Sequence, residues 1–287
     1  MTVQSRFLKA KDFAVLYSEG FEDELSLFDV AVVEPSARDG TSLQKIKSNG
    51  TVVLAYVSAM EVHRWSDEFK LLKNSDYLKY GGQPMINHKY GTCIVDLRSK
   101  TWQNLLYHKI GGLLLGSGYD GIFADTVGDI EFPQINEALK DELAMAAAEF
   151  FSQIKEMSGD SIIVQNNGLE KLSLYTGGII DGICWENPPF GIKDSRLILR
   201  RVLDRLERLK EEKGLKVMLL LEEGESSSPF GREPYEKILK TASDEAYGRD
   251  FLIYHAPPMY IGKVNPGVSK LNIGSKIQLD IKLTCNL

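Results

Sequence analysis

Three cysteines in 287 residues, at positions 93, 184 and 285, are too few and too scattered for a disulfide framework or a metal knuckle. Cys93 and Cys184 both fall inside predicted strands, so they read as buried free thiols. No run approaches the ~20 consecutive apolar residues that span a bilayer. The apolar stretch near the N-terminus, Phe13 to Tyr17, is too brief for the core of a secretion signal. As written the chain reads as cytoplasmic, and as secreted only if a leader has been removed. It also lacks blocks of one charge: 34 Lys and Arg against 40 Asp and Glu leave a net of −6, spread along the chain. Without a basic stripe no nucleic-acid partner is expected, and without an apolar span no membrane. No strand leads into a G-x-G-x-x-G turn, which argues against a doubly wound nucleotide-binding sheet.

What the chain does have is an alternation of apolar strands and amphipathic helices. The runs are residues 27–36, 51–58, 92–97, 122–124 ending at Asp125, 161–165, 183–185 ending at Glu186, 216–221 and 251–254, with 13–17 as a short lead-in. Between them lie helical patterns such as 102–115, 134–157 and 196–213, each with apolar residues on one face. Eight such units predict an α/β fold, a single (β/α)8 barrel, with no composition shift to divide it. The expected domain is 1–287, with a barrel core over 27–258 and a C-terminal extension over 259–287. In that extension Ile277, Leu279, Ile281 and Leu283 alternate with polar residues as in a half-buried strand. The section from Val62 to Lys89 has no strong period and reads as a functional or mobile excursion.

The residues that end these runs carry the chemistry. A fully apolar strand has no place for a carboxylate inside it, and parallel barrels build their sites at the C-terminal strand ends. Two phrases repeat the pattern, Asp120-Gly121 leading to Asp125 and Asp181-Gly182 leading to Glu186. Two carboxylates facing across a pocket can divide acid and base labour, as glycoside hydrolysis requires, so Asp125 and Glu186 are the candidate catalytic pair. Around them the same rim should present Glu34, Tyr56, Ser58, Glu61, Asp96, Gln165, Asn166, Glu222 and His255 to a substrate. Such an acidic rim, extended by Glu223, favours a cationic ligand unless Arg64 and Arg98 neutralise it. Trp65 and Phe190 could stack on sugar faces, whereas strand alternation places Trp185 in the core.

The order of the phrases LAYVSAME, IVDLRSKTW, GYDGIFADTV, IVQNNG, DGICWEN and LLLEEG resembles glycoside hydrolase family 114, the endo-α-1,4-polygalactosaminidase type, over about Phe28 to His255. The resemblance implies a TIM barrel whose strand-four Asp and strand-six Glu, here Asp125 and Glu186, are the catalytic pair, acting on an oligo- or polysaccharide without a cofactor. By analogy with retaining barrels that carry carboxylates on these strands, Asp125 is expected to be the nucleophile and Glu186 the general acid/base. Met60 stands before Glu61 where the family usually has Gly, and Glu34 stands where Asp is common. Two alternatives are a carbohydrate-binding barrel without turnover and a divalent-metal site built from Asp96, Asp125 and Glu186. Nothing in the sequence sets the oligomeric state.

Overall fold

The computed structural model describes residues 1–192, 194–224 and 234–267. Eight parallel strands form one sheet in chain order: β1 (Phe13–Leu16), β2 (Val30–Val33), β3 (Val52–Ser58), β4 (Gly121–Asp125), β5 (Ile162–Asn166), β6 (Gly182–Glu186), β7 (Lys216–Glu222) and β8 (Leu252–Ala256). The first and last strands face each other, with Phe13 and Tyr254 packed at 5.7 Å between ring centroids, so the sheet curls into a nearly closed (β/α)8 barrel. Helices cover the outside because strands apolar on both faces need a second layer. The predicted helices at 102–115, 134–157 and 196–213 appear as Lys100–Gly111, Glu137–Ser158 and Arg196–Lys213. Ser99 caps the first of these by accepting from Trp102 N at 3.2 Å. Among the described residues, no helix is long and apolar enough to cross a membrane.

The strand count is as expected but its membership is not. The run 13–17, read as a lead-in, supplies the first barrel strand. The run 92–97 leaves the barrel altogether: Thr92–Ile94 pairs antiparallel with Glu61–His63 and Ile86–Asn87 in a separate three-stranded sheet. The physical reason is register, since β3 already pairs directly with β4 from Leu54↔Gly121 to Ser58↔Asp125 and leaves no slot between them. Cys93 and Val95 are apolar because that small sheet packs on the barrel, burying both. The section Val62 to Lys89 is accordingly a folded wall over the barrel mouth, carrying a helix at Asp67–Leu71 and two short strands paired at Lys79–Tyr80 and Gln83–Pro84. The predicted C-terminal strand at 276–283 lies outside the described residues.

The repeated Asp-Gly phrase turns out to be a floor device. Asp120 accepts Val53 N on the neighbouring strand at 2.9 Å and pairs with Lys47 at 2.9 Å. Asp181 repeats this two strands on, accepting Ile163 N at 2.8 Å and pairing with Lys155. Each carboxylate thus fixes the register of two strands where they enter the barrel. The glycines that follow allow close approach: a Cβ on Gly121 would lie 2.2 Å from Ile162 O, and one on Gly182 would lie 2.9 Å from the ring of Phe7. Phe7 belongs to the N-terminal helix Val3–Lys9, which closes the floor and buries that ring completely.

Gly121→Ala should therefore destabilise the fold by about 3 kcal/mol, the upper end of overpacking costs, because the obstacle is backbone and not a flexible side chain. Urea denaturation measures this, and an unchanged midpoint would show that β4 and β5 are not held at this distance.

Candidate active site

Strands β4, β5 and β6 are consecutive neighbours, and their last residues are Asp125, Asn166 and Glu186. Each of these is followed by a non-glycine residue in the left-handed region: Thr126 at φ 61°, Asn167 at 57° and Asn187 at 48°. This conformation costs roughly 1–2 kcal/mol for an ordinary L-residue, and a β-branched threonine is a true outlier there. It turns each side chain back onto its neighbour. Thr126 Oγ1 accepts Met60 N at 2.8 Å, Asn167 Oδ1 accepts Glu186 N at 3.1 Å and Asn187 Oδ1 accepts Glu222 N at 2.9 Å. The rim is stapled strand to strand at the point where the functional groups emerge.

Asn166 joins the two candidate catalytic carboxylates. Its Nδ2 donates to Asp125 Oδ1 and to Glu186 Oε2, both at 2.7 Å. The second oxygen of each carboxylate is held by a tyrosine. Tyr56 donates to Asp125 Oδ2 at 2.9 Å, and Tyr260 donates to Glu186 Oε1. Tyr17 packs against both tyrosines, with ring centroids 4.8 Å from Tyr56 and 5.2 Å from Tyr260. Burial and the neighbouring Asp125 charge push Glu186 up to about 7. Asp125 is also raised by burial, but its hydrogen bonds from Asn166, the Thr126 backbone and Tyr56 work in the opposite direction.

These groups lie in a cleft of about 550 Å³ at the C-terminal end of the barrel. Of the predicted substrate-binding residues, Glu34, Tyr56, Ser58, Glu61, Asn166 and Glu222 line it. Three others do not. Asp96 lies outside the cleft in a forked pair with Arg98, so it is not brought to Asp125 and Glu186 and the three-carboxylate metal site is not formed. Gln165 points the opposite way from Asn166 along the pleat and binds Asn167 O, Gly168 O and Thr176. His255 faces away from the cleft toward Asn265 and Glu223, and its burial lowers its proton affinity. Trp65 is 73% exposed and stacks on His63 at the edge of the cleft, while Phe190 is buried, as is Trp185.

Several cleft residues had no signal in the strand-end reading. Tyr17 directly follows β1, at the end of the run read as a lead-in, and Tyr260 lies beyond the last strand. Asp129 sits in the turn Val127–Glu131, where burial and Glu61 push its carboxyl up to about 9. Glu61 itself is anchored by Asn87 and Thr92 of the wall. The acidic lining is only partly neutralised. Within it Lys109 lies 3.6 Å from Glu68, while the pairs of Arg98 with Asp96 and of Lys263 with Glu223 lie outside the cleft. Among the described residues, the ion pairs do not include Glu34, Glu61, Asp125, Asp129 or Glu186.

Buried acids with raised proton affinity tax the fold. Below pH ~4.5 Glu186 is protonated in both folded and unfolded chains; as pH rises toward 7 only the unfolded chain releases the proton, so native stability falls. Glu186→Gln removes that loss. The variant should gain up to about 3 kcal/mol over the wild type at pH 8 and little at pH 4, measured by denaturant unfolding across pH. A difference that does not vary with pH would contradict the raised proton affinity.

The model of a family described as "Glycoside-hydrolase family GH114" matches residues 4–179, which include Asp125 and stop short of Glu186. No curated protein matches the sequence. Among solved structures, the glycoside hydrolase domain of PelA from Pseudomonas aeruginosa superposes with a TM-score of 0.69 at 18% identity, covering 89% of this chain and 98% of that one. Ega3 from Aspergillus fumigatus, in complex with galactosamine, gives 0.68 at 12% identity over 90% and 95%. An α-galactosidase from Thermus thermophilus gives 0.58 at 14% identity over 88% and 59%. At these identities the structural likeness speaks for the fold.

Proposed function

The chain belongs to glycoside hydrolase family GH114, and from that premise we propose that it cleaves an α-linked polymer of galactosamine by double displacement, with Asp125 as nucleophile and Glu186 as general acid/base. The observation that carries this reading is the shared amide of Asn166. Two oxygens each 2.7 Å from one nitrogen are separated by at most twice that, about 5.4 Å. So close an approach of the facing oxygens is in keeping with the roughly 5–5.5 Å between the carboxyl groups of retaining enzymes.

The unequal surroundings of the two carboxylates support the assignment of roles. Asp125 accepts from Asn166, Tyr56 and the Thr126 backbone, all of which favour the ionised form that attacks the anomeric carbon. Glu186, pushed up to about 7, is near the midpoint at which a group both gives and takes a proton. In the first step an Asp125 oxygen bonds to the anomeric carbon while the glycosidic bond breaks and Glu186 protonates the departing oxygen. In the second step Glu186 takes a proton from water as the water oxygen displaces Asp125, which restores both groups and the original anomeric configuration. The acidic cleft lining suits a substrate carrying ammonium groups, and the complex of Ega3 with galactosamine fits the same sugar class.

Reducing-end release from deacetylated galactosaminogalactan tests this directly. The wild type should cleave it, and both Asp125→Asn and Glu186→Gln should lose at least about a thousandfold in kcat/KM with folding intact. The alkaline limb of the wild-type profile should fall near pH 7, where Glu186 loses the proton it must donate. Full activity in either variant would overturn the pair, and binding of the polymer without cleavage would replace the hydrolase by a carbohydrate-binding barrel.

A further inference from the structure

The loop after β8 is held in an unfavourable conformation over two successive residues. Met259 and Tyr260 have φ of 54° and 59°, a region that residues with a Cβ avoid. Such geometry persists only where the surroundings over-determine it. Here Tyr17 N donates to Tyr260 O at 2.7 Å, Tyr260 N to Pro257 O at 3.0 Å, Met259 N to Glu222 Oε1 at 2.6 Å and Gly262 N to Ser18 Oγ at 3.1 Å. The Tyr260 ring is buried against Tyr17. Together these contacts fix the loop from which the Tyr260 hydroxyl reaches Glu186 Oε1.

We propose that Tyr260 is a positioning residue for Glu186, fixing the direction of its carboxyl group and stabilising its ionised form between the two displacement steps. The inference rests on the reading of Glu186 as the acid/base. A hydrogen bond given to a carboxylate favours the charged state, so Tyr260 and Asn166 together oppose what burial and the nearby carboxylates do. The groups that face Glu186 are Asp125 on β4, Tyr56 on β3, Tyr17 after β1, Cys184 on its own strand, Glu222 on β7 and Tyr260. Asp125 and Glu222 raise its proton affinity; none of the groups named is a cation. Burial and Glu186 hold the Tyr260 hydroxyl far above its ordinary range, so it remains a donor throughout the working pH of the enzyme. Tyr56 stands to Asp125 as Tyr260 stands to Glu186, which makes it the internal control.

The deciding measurement, the Glu186 titration, needs no substrate. Infrared difference spectroscopy follows carboxyl titration in the wild type, Tyr260→Phe and Tyr56→Phe, with the Glu186→Gln spectrum identifying the Glu186 band. Phenylalanine keeps the ring against Tyr17, and near-ultraviolet circular dichroism checks that the packing survives. Tyr260→Phe should raise the Glu186 midpoint by about one pH unit and carry the alkaline limb of kcat/KM with it. Tyr56→Phe should move the acid limb instead. An unmoved Glu186 midpoint in a folded Tyr260→Phe protein would overturn the positioning role whatever the enzyme cleaves. Retained turnover in Glu186→Gln would instead overturn the catalytic pair, so the two failures are distinct.

Discussion

A single side-chain amide with two hydrogens to give, shared between two buried carboxylates, is the constraint on which this site depends. Two like charges so close in a desolvated cleft cannot both ionise cheaply, and Asn166 is what lets them approach. It can do so because β5 lies between β4 and β6, with Asn166 next in register to Asp125 and with Glu186 two residues beyond Cys184, the β6 partner of Asn166. The tyrosines complete a ring of contacts, Tyr56 to Asp125, Asn166 to both acids, Tyr260 to Glu186, and Tyr17 against the two outer rings. Neither acid, nor Asn166, Tyr56 or Tyr260, can rotate without breaking one of these hydrogen bonds.

The barrel separates stability from chemistry along each strand. At the floor, Asp120 and Asp181 are satisfied by backbone N–H groups and lysines, and act as register pins. At the mouth, Asp125, Asp129 and Glu186 are left with raised proton affinity, a cost the floor and the core must offset. Left-handed residues after Asp125, Asn166 and Glu186 add local strain in the place where strain is commonly stored for function. One phrase of sequence, Asp-Gly-apolar-carboxylate, therefore encodes both ends of a strand.

Much of this was legible before the fold was known. Asp125 and Glu186 stand out because a carboxylate ends an otherwise apolar run, and the helices between strands carry clear caps and periodicity. The parity of β5 was also available: Asn166, Asp125 and Glu186 each fall two residues past an inward apolar side chain, whereas Gln165 falls on the other face. Ending that strand one residue early hid the distinction. The exchange of 13–17 for 92–97 was not legible, because both runs are short and apolar and only pairing decides which enters the barrel. Tyr260 carries no local signal, since its role depends on a loop conformation fixed by partners as distant in sequence as Tyr17.

The most direct test of the central claim is to trap the covalent intermediate. In Glu186→Gln a 2,4-dinitrophenyl α-galactosaminide needs no protonation to leave, and no base remains to activate water, so the glycosyl-enzyme should accumulate. Peptide mass mapping should then find one hexosamine on Asp125. An adduct on another carboxylate, or steady release of dinitrophenol with no adduct, would contradict the account.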